Sequence, residues 1–127
     1  MKRTWIVGTV VLLTVSACGP RDRPDFDAWR TDWEAALGVI PPPAFADAPD
    51  EATCERVVGE LREAQESLIP TPDITLDGTV REWIAIAEQT FFECPPREGE
   101  VIGFAEAYEE LDRLRLEVEA VLGAADG

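Results

Sequence analysis

The sequence predicts an all-α protein: a small antiparallel bundle of three long helices plus one short N-terminal helix, stapled by a disulfide. Three observations carry that expectation. Apolar residues recur at helical spacing in four successive segments. Prolines separate those segments, and a proline ring cannot continue a helix. Cys54 and Cys94 lie on two of the apolar stripes, at places that an antiparallel helix pair would bring together.

The first segment, DFDAWRTDWEAALG, takes Asp25 as its N-cap and Gly38 as its C-terminal stop. Phe26, Trp29, Trp33 and Leu37 share one face, with Arg30, Asp32 and Glu34 outside it. Such an aromatic stripe reads first as core and second, with Trp83, as the lining of a ligand pocket between helices. VIPPPAF then breaks the helix. The second segment is expected over about 48–68, with Asp47 and Asp50 as a cap-like start. Cys54, Val57, Val58, Leu61, Ala64 and Leu68 form its stripe, and Gln65 is expected at its edge. Pro70 and Pro72 end it, and TPDITLDG is read as a loop.

The third segment is expected to open on a capping box of Thr79 and Glu82. Val80, Trp83, Ile84, Ala87, Phe91 and Cys94 share its inner face, widened by Ile86 and Thr90, until Pro95-Pro96 stops it. The fourth runs over about 98–122, with Phe104, Tyr108, Leu111, Leu114, Val118 and Leu122 on its stripe. Glu109 with Arg113 and Arg115 with Glu119 are i,i+4 pairs of a solvated outer face. Phe92, Ile102 and Leu116 fall off every stripe and are the one hint of a contact surface.

Ahead of these segments stands MKRTWIVGTVVLLTVSAC: a basic head, an apolar run and a small-residue stop, the layout of a secretory signal. The run is shorter than the roughly 20 apolar residues needed to cross a bilayer. Val15-Ser16-Ala17-Cys18 resembles the lipobox of bacterial lipoproteins. The resemblance covers only the first 18 residues. It implies that the Cys18 thiol receives a diacylglycerol, that the chain is cut before Cys18, and that fatty acid such as palmitate acylates the new amino group. The protein is then expected to be exported and lipid-anchored to the bacterial membrane, outside the cytoplasm. The organisation that follows is a signal over 1–17, a tether over 18–25 and a helical domain over 26–123.

Removing residues 1–17 takes away Lys2 and Arg3 and no acid, so 11 basic residues fall to 9 against 26 acidic ones, a formal charge of −17. That charge excludes nucleic acid as a partner, because phosphate binding rests on lysine and arginine. The mature chain has no histidine and no lysine. Histidine-based acid–base chemistry, zinc sites of the usual kind and Ser-His-Asp arrangements are therefore excluded. Glycosidase chemistry needs only two carboxylates, but a sugar cleft is hard to build in so small a helical domain. No enzyme and no cofactor is expected. Asp22, Asp25 and Asp27 lack the rest of a calcium loop, and Asp47, Asp50 and Glu51 have the simpler task of capping.

Three cysteines in an exported chain leave an odd thiol. With Cys18 lipidated, Cys54 and Cys94 remain as a pair in a compartment that permits a disulfide. Cys54 precedes Leu68 by 14 residues and Cys94 follows Val80 by 14, so equal arms would bring both to one end. The functional expectation is a membrane-anchored envelope lipoprotein acting as a non-enzymatic interaction module for an envelope protein. The alternative is a lipoprotein that binds a small ligand or a cation.

Overall fold

The computed structural model describes residues 22–41, 49–97, 99 and 101–126. Among them the chain forms four helices and no strand: α1 (Phe26–Val39), α2 (Glu51–Leu68), α3 (Ile74–Phe92) and α4 (Val101–Asp126). The expected signal over 1–17, Cys18, the first part of the tether and Asp47 lie outside the described residues. No described helix is long and apolar enough to cross a membrane.

Each helix packs against its neighbours in sequence, and α1 also touches α4. Three contacts give the directions. Trp29, in the first turn of α1, donates its Nε1–H to the Leu68 carbonyl at the end of α2, 2.9 Å away. Cys54, at the start of α2, is bonded to Cys94, just past the end of α3, with the Cα atoms 5.8 Å apart. Phe91, at the end of α3, meets Phe104 and Tyr108 of early α4, with ring centroids 6.0 and 6.1 Å away. Each helix thus runs opposite to the one before it. The bundle has an N-terminal pole, where residue 22 enters beside the α2–α3 turn and the end of α4, and a disulfide pole at its far end.

One apolar cluster fills the interior. Trp29, Trp33, Trp83, Phe91, Leu61, Leu68, Leu76, Leu114, Val57, Val80 and Val118 are all buried to within about two per cent of complete. Trp29 and Trp33, one helical turn apart, stack with centroids 5.6 Å apart, and Trp33 meets Trp83 edge-on at 5.0 Å. All three tryptophans that the stripes singled out are core. The second pattern of the sequence also holds, since Phe92 and Ile102 are 72% and 73% exposed.

Several boundaries differ from those the sequence suggests. Helix α3 begins at Ile74, inside the stretch read as a loop. Asp73 is its N-cap and accepts from the Thr75 N–H at 2.9 Å, so Thr79 and Glu82 sit mid-helix rather than at a start. A mid-helix glycine costs about 1 kcal/mol, and Gly78 is tolerated because the added turn buries Leu76. Helix α2 starts at Glu51, where Asp50 accepts from the Thr53 N–H at 2.7 Å. Helix α1 runs one residue past Gly38, to Val39. Helix α4 continues to Asp126, four residues beyond Leu122, where Arg30 of α1 reaches both the Leu122 carbonyl and the Asp126 carboxylate. Arg113 pairs with Glu110 and Glu117 rather than with Glu109, whereas Arg115 does pair with Glu119. Gly99, at φ +96°, turns the chain toward α4 in a region that residues with a side chain rarely adopt.

The earlier start of α3 also corrects the equal-arm argument for the bridge. The arm from Cys54 to Leu68 spans 14 residues, but that from Ile74 to Cys94 spans 20. The pair still meets, with Cys94 two residues beyond the end of α3 and its Cα 5.8 Å from that of Cys54. A bridge closing a separation of 40 residues is worth about 4 kcal/mol in the loop-closure model. The double change Cys54→Ala with Cys94→Ala should lower the stability of residues 19–127 by about that amount in denaturant titration while leaving its helical circular dichroism intact. A loss of helix in buffer would show instead that the apolar core cannot hold the bundle alone.

Candidate functional site

The two poles differ in chemistry, and each is built by the ends of specific helices. At the disulfide pole the last turn of α3 carries Phe91 inward and Phe92 outward, because consecutive helical residues point about 100° apart. Phe92 borders a recess of about 350 Å³ between α2 and α3, shared with Cys54, Cys94, Gly59 and Arg62. A second recess of about 420 Å³ lies between α3 and α4, with Gln89, Thr90 and Glu93 on one wall and Gly103 and Phe104 on the other. Ile102 projects from the first turn of α4 at the same pole. Glu51, Glu55 and Glu93 are exposed around it. The result is an acidic rim around scattered large apolar side chains, with no group of three metal-ligating side chains among the described residues.

The N-terminal pole is tied together by charge. The Arg23 guanidinium lies 3.1 Å from each oxygen of the Asp77 carboxylate and donates to the Thr71 carbonyl at 3.0 Å. Asp77 Oδ1 also accepts from the Thr71 N–H at 3.3 Å. The Thr71 hydroxyl stands 2.5 Å from Asp77 Oδ1 and 2.6 Å from the Asp73 carbonyl, and Thr71 is fully buried. The Arg23 hydrogen bond, followed by that of Thr71, lowers the Asp77 pKa from the ordinary 3.8 to about 2. Nearby, Arg30 joins Asp126 at 2.9 Å and Asp27 at 3.6 Å. Arg23 falls within the expected tether, 18–25, and the structure ties it to the domain. Its partner Asp77 falls in the stretch taken for a loop, so nothing in the sequence pattern linked the two.

Between the poles the tryptophans offer little to a ligand. Trp29 and Trp83 are closed in the core, and the recess at the α1–α4 seam beside Leu37, Trp83 and Tyr108 measures only about 230 Å³, below the roughly 300–1,000 Å³ of a usual small-molecule pocket. A separate recess of about 220 Å³ between α1 and the end of α4 borders Trp33, whose buried Nε1–H has no partner among the described residues. Tyr108 closes the disulfide-pole end of the seam by donating its hydroxyl to the Pro41 carbonyl at 2.9 Å. Burial raises its pKa from 10.0 to about 12.

Compared with protein-family models, with curated proteins and with solved structures, the chain matches none.

Folding lowers the Asp77 pKa, so its contribution to stability is present above pH 4 and is lost as pH falls from about 4 toward 2. Asp77→Asn should therefore cost about 1.5–3 kcal/mol at neutral pH, the range for a hydrogen bond to a charged group. It should also flatten the acid limb of stability that the wild type shows over that window. Tyr108 is the only tyrosine, so tyrosinate absorbance reports it alone. In the folded protein the absorbance should rise near pH 12 and, after denaturation, near pH 10. A midpoint near 10 in the folded protein would mean that the hydroxyl is not held against Pro41.

Proposed function

We propose that the chain is a lipoprotein of the bacterial envelope, anchored through Cys18, that works without catalysis as a protein-interaction module. Its scaffold is three long helices with the short N-terminal helix closing α2 to α4. The observation that carries this reading is the contrast between interior and surface. The interior is filled, with all three tryptophans of the domain consumed by it, while Phe92 and Ile102 stand exposed at the pole farthest from the entering chain. A ligand carrier would be expected to keep apolar space inside; an interaction module keeps apolar side chains outside. The absence of histidine and lysine from the mature sequence and its charge of −17 support a non-catalytic, acidic surface suited to a basic partner. The anchor adds effective concentration by holding the module and an envelope partner in one compartment.

The alternative, a small-ligand lipoprotein, draws on the unpaired Trp33 N–H next to the α1–α4 seam. A ligand there would have to present an acceptor and spread α1 from α4. It would be seen as a blue or red shift of the buried tryptophan emission on titration.

Two experiments test the leading proposal. The wild type should partition into detergent on phase separation, and Cys18→Ala should leave an unprocessed precursor or a water-soluble protein. Affinity capture with the lipidated protein in its own membrane should recover a partner. The double change Phe92→Asp with Ile102→Asp should lose that partner at least about tenfold, with an unchanged melting temperature, since neither side chain is part of the core. A partner retained in full by the double variant would move the contact surface elsewhere.

A further inference from the structure

The structure assigns the N-terminal pole as a membrane-facing surface: the turn between α2 and α3, with the exposed Ile74 at its edge, rests on the headgroup layer that holds the Cys18 anchor. This rests on the lipoprotein reading above.

The first support is the length of chain available. Helix α1 begins at Phe26, and Arg23 is fastened to Asp77 and Thr71 before the helix starts. The chain from Cys18 to the clamped Arg23 therefore spans five residue steps, against eight to Phe26. Its reach is at most about 17 Å, against about 28 Å without the clamp. Helix α3, with 19 residues, is about 28 Å long. With the clamp closed the tether is shorter than the bundle, so the domain cannot stand inverted on its disulfide pole without breaking Arg23 from Asp77.

The second support is what this pole displays. Ile74, the first residue of α3, is 71% exposed and lies three residues from Asp77, on the same side of the helix start. The turn that leads to it, residues 69–73, has one charged side chain, Asp73, which caps the helix, and its one buried polar side chain, Thr71, is bonded internally.

Acids are exposed at both poles, Asp25, Asp27 and Glu66 here and Glu51, Glu55 and Glu93 at the far one, so the clamp rather than charge sets the orientation. Phe92 and Ile102 are thereby carried away from the bilayer, where a partner can reach them.

The test uses the full lipidated protein in vesicles of phosphatidylethanolamine and phosphatidylglycerol that contain a lipid brominated near the headgroup. Ile74→Trp and Phe92→Trp each add one exposed indole to the buried native set, and circular dichroism verifies their folding. The added emission of Ile74→Trp should be quenched several-fold more than that of Phe92→Trp. Adding Arg23→Ala should remove most of that difference by lengthening the tether. Equal quenching at the two positions, or a difference that survives Arg23→Ala, overturns the inference and leaves the anchor standing. A blue shift at position 74 without quenching overturns it as well, since another protein surface would then cover the turn. A protein that lacks the diacylglyceryl mass and stays off the vesicles overturns the anchor reading, and the orientation with it.

Discussion

Everything in this bundle is positioned around three indole rings. A helix of 14 residues such as α1 is marginal in water by itself, and it buries only Trp29, Trp33 and Ala36 completely. The Trp29 and Trp33 rings stack on each other and Trp33 reaches Trp83 on α3, the diagonal helix with which α1 shares no close backbone contact. The Trp29 N–H does further work. It satisfies the Leu68 carbonyl, one of the last carbonyls of α2 that its own helix leaves without a partner. That bond sets the height of α1 against α2. The height in turn brings Arg23 to Asp77 and Arg30 to the end of α4. The polar contacts of the N-terminal pole are thus consequences of where the indoles sit.

The interior was legible in the sequence because burial imposes a period, and the period survives inexact helix ends. The stripes through Val57 and Leu61, through Val80 and Phe91 and through Leu111 and Val118 all lie in the core. The off-stripe Phe92, Ile102 and Leu116 are all exposed. What periodicity cannot show is competition among caps. Asp50 and Asp73 each stand where a carboxylate can accept from an N–H two or three residues on, and α3 starts after Asp73 rather than at the expected Thr79. Burial of Leu76 decides the start of α3 despite Gly78, and a helix-breaker count weighs the two the other way. The Arg23–Asp77 contact joins residues 54 apart, and no local pattern encodes such a distance. Ile74 was missed for the same reason, since it becomes an exposed helical residue only once the loop reading is abandoned.

The acids of the surface are used in several ways. At the N-terminal pole Asp77 and Asp126 are matched by arginine, Asp25 and Asp73 cap helix N-termini, where negative charge is favoured, and Glu66 is exposed. On the outer face of α4, Arg113 and Arg115 each pair with two acids, one on either side, and such pairs do little for stability singly. The exposed acids of the disulfide pole surround Phe92, so an approaching molecule meets negative potential first and an aromatic ring second. Charge of that kind governs how fast and with what partner an encounter occurs, and the ring governs how long it lasts.

The bridge between Cys54 and Cys94 encloses the α2–α3 turn, the hairpin bend at the N-terminal pole. A protease that severs one peptide bond there yields two segments that are still one covalent molecule, because the chain continues through sulfur at the other end of the helices. Neither segment can diffuse away from its complement, and α2 and α3 remain side by side, each able to bury the stripe of the other. A single nick therefore opens a ring rather than ending a chain. The domain can lose continuity of its backbone at that bend and keep α2 and α3 joined.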